Sequence, residues 1–285
     1  MANSEAIEQR LLLRRGELLQ RAQAVGADLR HERDPLVADF ADRASEAEAA
    51  VRKASVMARH FKANIEIFAC DTDHAWAIDD PSPAARAVIS SCLAGTERYL
   101  EALRGSVAGN DLQITTRAAC AGSMEEGVRA RVRSSHPDLV IKTLMVASDT
   151  APMPPRPLEM QMMRCCVVPL LVTRGRAWRP TTKFAAAVDL DGDDPALAAR
   201  LIESVRFLAQ GCGGEHSLIR GRSVEEICRY VEQNQIDVLV IGGSVEGAWQ
   251  GPEPSLTERL LSVLECDVLV VPRAASSVKD ARTLS

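Results

Sequence analysis

The chain has 285 residues, of which 46% are hydrophobic and 26% charged, a composition typical of globular proteins with one large or two modest domains. Its formal net charge of −5 argues against a nucleic-acid binder, because such proteins concentrate positive charge against phosphates. The longest aliphatic runs fall far short of the roughly 18 residues that span a bilayer, so we expect no membrane contact. The N-terminal residues lack the basic-then-apolar order of a signal peptide, and we therefore expect a cytoplasmic protein.

The cysteines and acidic clusters are the first candidates for site chemistry. The eight cysteines predict reduced, buried thiols, because the chain is large and lacks the close Cys/His spacing of zinc sites. Two acidic segments, Asp71–His74 and Asp191–Asp194, could gather a cation through carboxylate oxygens. Each follows a predicted strand, where acidic residues also form turns and cap helices. We therefore expect no metal.

Residues 1–34 predict an amphipathic helix that stands outside the rest of the fold. Apolar side chains recur there at steps of three, four or seven residues, which places them on one helix face. This helix would pack on its own domain, or it would contact a partner or a second copy of the chain. The residues of the stripe are Ile7, Leu11, Leu18, Ala22, Val25 and Leu29.

Residues 35–175 predict a first domain in which short aliphatic runs alternate with helical patterns. This alternation indicates parallel strands buried on both faces and joined by crossover helices. The predicted strands are Leu36–Phe40, Ile65–Ala69, Leu112–Arg117, Leu139–Lys142 and Val167–Val172. The predicted helices are Ser45–His60, Ala84–Leu103, Met124–Ser134 and Leu158–Arg164.

Residues 176–285 predict a second, shortened domain that repeats the first. Pro137–Lys142 is echoed by Ile236–Ile241 at an offset of 99 residues, and Ser123–Glu126 by Ser223–Glu226 at an offset of 100. Matches in the same order indicate a duplicated unit, so the fold class is α/β with two tandem doubly wound parallel-sheet domains. The second copy has lost one strand and a long helix. Its predicted elements are strands Lys183–Asp189, His216–Arg220, Val238–Ile241 and Val268–Val271, and helices Pro195–Gln210 and Val224–Gln233.

The repeated segments resemble the universal stress protein family. The resemblance rests on Ala50–Phe61 with Ile65–Phe68, and on Asp138–Lys142, Asp237–Gly242 and Glu265–Val271. The order and spacing across residues 36–273 are similar to the tandem, E-type members of bacteria. The resemblance implies a Rossmann-like strand order of 3-2-1-4-5 in each half, with a crevice at the carboxyl ends of strands 1 and 4. It also implies that the halves pair through their last strands as a pseudo-dimer.

The nucleotide-binding motif of that family is degenerate in this chain. Nucleotide-binding members use an Asp at the end of strand 1 and a Gly-x2-Gly-x9-Gly-Ser/Thr loop after strand 4, whose backbone N–H groups approach phosphates. In the first half Ile141 is followed by Lys142–Met145, which contain no glycine, and four prolines lie within residues 152–157. In the second half Gly242 matches the first glycine of the motif, but Val245 and Ser255 occupy the positions where the motif requires its later glycines. A weak cofactor site would consist of Asp189, Gly242, Gly243, Ser244, Ser255 and Thr257.

We expect a non-catalytic binding or regulatory protein of the stress response that takes a protein partner or a small-molecule ligand, because no nucleophile with its base is evident. No catalytic residue and no resident cofactor is expected. A second hypothesis is an adenine-nucleotide switch, with ATP or ADP bound and weakly hydrolysed by the second half. A third is a dimerisation module built on the N-terminal helix, with a homodimer as its product.

Overall fold

Parallel strands linked by helices dominate the observed architecture. The computed structural model describes residues 21–25, 37–107, 109, 111–143, 167–188, 195–220, 223–243 and 255–272, with backbone alone at 21–25 and 37–46. The strands are β1 (Arg21–Val25), β2 (Asn64–Asp71), β3 (Ile114–Cys120), β4 (Val140–Thr143), β5 (Leu170–Thr173), β6 (Lys183–Val188), β7 (Glu215–Arg220), β8 (Val238–Gly242) and β9 (Asp267–Val271). The helices are α1 (Val37–Phe61), α2 (Pro83–Val107), α3 (Met124–Ser135), α4 (Pro195–Cys212), α5 (Val224–Asn234) and α6 (Leu256–Val263).

One continuous sheet joins the two halves of the chain. Its strand order is β3-β2-β1-β4-β5-β9-β8-β6-β7. The first half has the 3-2-1-4-5 order expected of a doubly wound domain, and its strand pairs are parallel. The halves meet where β5 and β9 pair antiparallel, with Leu171 opposite Leu269. The last strands of the two halves are thus hydrogen-bonded to each other.

The second half is shorter in the way that the sequence predicts. Its described strands are β6 to β9, and β6 lies between β7 and β8. The first half places α2 and β3 between β2 and α3, whereas in the second half α5 follows β7 with no counterpart of either element among the described residues. The α/β fold class with two doubly wound units is therefore confirmed.

The N-terminal prediction is wrong in two respects. Residues 21–25 form β1, although the sequence pattern places them in an amphipathic helix spanning residues 1–34. The predicted first strand at Leu36–Phe40 is instead the beginning of α1. The true first strand pairs with both β2 and β4, so its conformation is decided by long-range strand pairing and not by local helical periodicity. The predicted helix at Leu158–Arg164 lies outside the described residues, whereas α6 had no counterpart in the prediction.

The repeated Ser-x-Glu-Glu segments fold in the same way in both halves. Ser123 and Ser223 are the N-caps of α3 and α5, and each hydroxyl accepts a hydrogen bond from the backbone N–H three residues later. Each helix ends in a left-handed residue, His136 in one half and Gln235 in the other. The offset of about 100 residues thus corresponds to a repeated local structure, with the same beginning and end of the helix.

Alternate residues of each strand enter two hydrophobic cores on opposite faces of the sheet. Ile65 and Ile67 of β2 lie in the core beneath α1, α2 and α4, while Phe68 of the same strand lies in the core beneath α3, α5 and α6. Strands β5 and β9 are buried along their whole length. Burial on both faces explains their continuous aliphatic sequences. In the described ranges, no helix is both long enough and apolar enough to cross a membrane.

A buried ion pair connects the first half to the last strand of the second. Lys53 of α1 lies 2.6 Å from a carboxylate oxygen of Asp267 at the start of β9, and both side chains are buried. The same carboxylate accepts hydrogen bonds from the indole N–H of Trp178 at 2.7 Å and from the backbone N–H of Arg174 at 2.8 Å. The Lys53 ammonium also lies 4.4 Å from the centre of the Trp178 ring. Burial lowers the pKa of Lys53 although Asp267 opposes this shift.

A second contact between the halves is aromatic. Phe61 at the end of α1 stacks on Phe207 of α4, with ring centres 4.9 Å apart. A Cβ atom at Gly211 would overlap the Phe61 ring, so a side chain at position 211 would clash with this contact. Glycine is required there because the ring of one half packs directly on the helix backbone of the other.

Replacing one partner of the buried ion pair should destabilise the protein strongly. We expect Lys53→Met to lower the free energy of unfolding by about 3 kcal/mol, because the Asp267 carboxylate would stay buried without its cation. The measurement is urea denaturation followed by circular dichroism. Arg52→Ala is the matched control, since Arg52 pairs with Glu48 on the exposed face of the same helix and should cost less than about 0.5 kcal/mol. Equal losses in the two variants would contradict this account.

Buried thiols should make the protein less stable at alkaline pH. Burial raises the pKa of Cys212 from 9.0 to about 11, so above pH 9 the thiol ionises more readily in the unfolded chain than in the folded one. Stability from this group is complete at neutral pH and is lost as pH rises. Between about pH 7.5 and about pH 10, Cys212→Ala should lose about 1 kcal/mol less stability than the wild type in urea denaturation. Leu208→Ala, on the same buried helix face, should cost the same at both pH values.

Candidate functional site

The two glycines at the carboxyl end of β8 are explained by packing. A Cβ atom at Gly242 would lie 2.8 Å from a methyl group of Leu197, which is itself buried in α4. A Cβ atom at Gly243 would lie 3.2 Å from Val270 of β9. The backbone N–H of Gly243 donates to the carbonyl oxygen of Val271 at 2.8 Å. This N–H group therefore continues the β8–β9 pairing and is not available to a phosphate.

The other two described candidates lie at the N-terminus of α6. Ser255 is the N-cap, and its hydroxyl accepts a hydrogen bond from the backbone N–H of Glu258 at 3.3 Å. The Glu258 carboxylate in turn accepts from the backbone N–H of Ser255 at 2.9 Å, which completes a capping box. Thr257 donates its hydroxyl hydrogen to the carbonyl oxygen of Gly242 at 3.1 Å. The structure thus brings Gly242 and Thr257 into contact, as a single site requires.

The capping box changes the electrostatics of this helix terminus. Free N–H groups and a partial positive charge normally make a helix N-terminus attractive to anions. Here the buried carboxylate of Glu258 occupies that position and accepts the N–H of Ser255. A phosphate bound there would lose one donor and meet a negative charge. Asp189 and Ser244, the remaining predicted contacts, lie outside the described residues.

A polar cluster lies elsewhere, where β2 of the first half ends. Asp71 is the last residue of β2 and is only 6% exposed. One oxygen of its carboxylate accepts the backbone N–H of His74 at 3.0 Å and lies 3.1 Å from Nδ1 of the His74 ring. The other oxygen accepts from the thiol of Cys92, on α2, at 2.5 Å. Within the described part of the chain, these three side chains form a group with metal-ligating atoms within 4.8 Å of one another.

The contacts inside the cluster shift the acidity of its members. Burial alone would raise the pKa of Asp71, but the hydrogen bonds from Cys92 and His74 together lower it below its usual value. Burial, reinforced by the negative charge of Asp71, raises the pKa of Cys92 to about 12. The carboxylate is therefore charged and the thiol neutral at neutral pH when nothing is bound. Burial also raises the pKa of the nearby Cys120 thiol.

Two of the three residues of this cluster could be predicted from the sequence. Asp71 and His74 belong to an acidic segment considered as a cation site, whereas Cys92 was counted only among the packing cysteines. Cys92 lies 18 positions after His74 in the sequence, and α2 brings its thiol close to the end of β2. A local motif search cannot find such a group, because the spacing depends on how α2 packs on the sheet. Asp191–Asp194, the other acidic segment, lies outside the described residues.

Comparisons with known proteins agree with the architecture. A search of the curated proteins found no match. Among solved structures, a functionally unknown protein from Pseudomonas aeruginosa PAO1 is similar, with 17% identity, a TM-score of 0.61 and coverage of 90% of this chain and 94% of that one. A universal stress protein from Archaeoglobus fulgidus DSM 4304 has 10% identity and a TM-score of 0.61 over 88% of this chain and 98% of that one. Residues 167–272, from β5 to the end of β9, match the model of the Universal stress protein family.

Proposed function

We propose that this chain is a cytoplasmic, tandem universal stress protein-like protein that acts by binding and not by catalysis, and that it has lost the family's usual ATP site. The repeat and the antiparallel β5–β9 pairing support a tandem arrangement of two related units. The family match over residues 167–272 supports a role in the stress response. The ligand would be a protein partner or a small molecule.

The capping box of Ser255 and Glu258 is the observation that carries this proposal. A site that holds phosphate through a helix N-terminus must leave its N–H groups free and its field positive. In this chain Glu258 places a buried carboxylate at that terminus, and the backbone N–H of Gly243 donates a hydrogen bond to β9. The glycines that resemble a phosphate loop instead allow α4 and β9 to pack closely. Each feature removes an interaction that ATP would need.

The first half supports the same conclusion from its sequence. Thr143 ends β4 where the family's glycine-rich loop would begin, and no glycine occurs between Lys142 and Ala151. Prolines in residues 152–157 lack backbone N–H donors. Those later residues lie outside the described part of the chain, so this step rests on the sequence alone.

The nucleotide hypothesis is tested by purifying the native protein, denaturing it and identifying any released small molecule by chromatography and mass spectrometry. ATP with Mg²⁺ is then titrated into the stripped protein by calorimetry. We expect no released adenine nucleotide and no saturable binding at up to about 1 mM ATP, which corresponds to less than about 4 kcal/mol of binding free energy.

Stoichiometric ATP or ADP that is lost in Asp189→Ala, but retained in a control Asp111→Ala, would overturn the proposal in favour of the nucleotide switch. Asp111 suits the control because its carboxylate is exposed and pairs with Arg59 on the surface of the first half. Hydrolysis of ATP by the wild type that disappears in Asp189→Ala would equally contradict a non-catalytic role.

A further inference from the structure

We propose that Asp71, His74 and Cys92 form a binding site for one divalent transition-metal ion, with Zn²⁺ as the best match. The site lies at the carboxyl end of β2 in the first half, between that strand end and α2. It does not depend on the function proposed above. Three observations support it.

The first observation is an electrostatic one. Asp71 is buried, and its carboxylate faces a histidine ring and a thiol group. Neither of these partners carries a permanent positive charge, and each is a residue type that binds metal ions when deprotonated. A buried carboxylate is ordinarily paired with a cation or coordinated to a metal, because its desolvation is costly. A bound ion would add a permanent positive charge to this carboxylate, which among the described residues pairs with the titratable ring of His74 and accepts the thiol hydrogen of Cys92.

The second observation is the spacing and type of the ligand atoms. Two ligands of a tetrahedral zinc ion lie roughly 3.3–3.7 Å apart, because zinc-to-ligand distances are about 2.0–2.3 Å. The Nδ1 atom of His74 lies 3.1 and 3.2 Å from the two oxygens of Asp71, and all the candidate ligand atoms lie within 4.8 Å of one another. Small side-chain rotations would therefore enclose one ion. A combined nitrogen, oxygen and sulfur donor set favours zinc over magnesium or calcium, which prefer oxygen alone.

The third observation is a further thiol on the same side of the sheet. Cys120 is the last residue of β3 and stands in register beside Asp71 of β2. Side chains at paired positions of neighbouring parallel strands point to the same face, so Cys120 faces the side on which α2 lies. The other nearby cysteine, Cys70, points to the opposite face, where its sulfur packs against Gly127 of α3. The alternation of side chains along β2 thus places Asp71 on the face covered by α2 and Cys70 on the face covered by α3.

Metal binding would tie the segment after β2 to the long helix α2. His74 begins a short 3-10 turn over Ala75–Ala77, and Trp76 within that turn is 62% exposed. The ring of Trp76 is therefore an optical reporter two residues from a proposed ligand. Co²⁺ is a suitable probe because it takes tetrahedral zinc sites, shows thiolate-to-metal absorption and quenches nearby tryptophan fluorescence.

The experiment titrates Zn²⁺ and Co²⁺ into the reduced, chelator-treated full chain. We expect one equivalent of tight binding, a thiolate-to-cobalt absorption band and quenching of Trp76 fluorescence that is absent in Trp76→Phe. Cys92→Ser should abolish the charge-transfer band, and both Cys92→Ser and His74→Ala should weaken binding at least tenfold. Circular dichroism and thermal melting establish that each variant is folded.

The matched controls separate this site from other thiols of the chain. Cys228→Ser changes a partly buried thiol on α5, and a Cys165→Ser/Cys166→Ser double variant changes the adjacent pair outside the described residues. Both controls should keep wild-type metal affinity. The proposal is overturned if the wild type binds no metal, or if binding survives in Cys92→Ser and His74→Ala but is lost in the Cys165/Cys166 variant.

Discussion

The buried carboxylate of Asp267 is the point on which the joining of the two halves depends. It receives the ammonium of Lys53 from the first half, the indole N–H of Trp178 and the backbone N–H of Arg174 from the connection between the halves. Burying this carboxylate carries a large desolvation penalty, which its three donors offset. Losing any one of these donors would therefore destabilise the folded protein. Because Asp267 begins β9, the same contacts fix where β9 starts and hence its register against β5.

This arrangement explains how one sheet can tolerate a shortened second half. The antiparallel junction covers the last-strand edges of both halves, so β3 and β7 are the outermost of the described strands. The exposed side chains of β7 are Glu215, His216 and Arg220, together with the apolar Leu218. Charged and polar side chains on an edge strand discourage pairing with other chains. Three of the four exposed side chains of β7 are therefore of the kind that discourages such pairing.

Most of the fold could be predicted because most of its strands are buried on both faces and lie in a repeat. Such strands are continuous aliphatic runs. A run like Val238–Ile241 therefore predicts a strand from its own residues, without knowledge of the strands beside it. The exception was β1, whose sequence Arg-Ala-Gln-Ala-Val has no aliphatic run and whose pairing partners lie at residues 64–68 and 140–141. Local periodicity favoured a helix there, and only the tertiary pairing specifies a strand.

The candidate sites were predictable to different degrees for a related reason. The Ser-x-x-Glu pattern at residues 255–258 is a local capping signal that could have been read directly, and it explains Ser255 without any ligand. The contact between Gly242 and Leu197 could not be predicted from a local pattern, because the two residues are 45 positions apart in the sequence. Cys92 likewise reaches Asp71 only through the packing of α2 on the sheet. Contacts of this kind are consequences of the fold, and no characteristic residue spacing in the sequence indicates them.

Helix α2 gives the first half a group of polar side chains that the second half lacks among its described residues. Cys92 belongs to α2, the long helix for which the described second half has no counterpart, and Cys120 belongs to β3, the strand that is also without one. A cluster of Asp71, His74 and Cys92 can therefore arise only in the first half. In the second half, the retained crevice elements β8 and α6 are held together by their own hydrogen bonds. One half thus has strand ends that are occupied by internal contacts, whereas the other has an additional helix that brings polar groups to the end of the sheet.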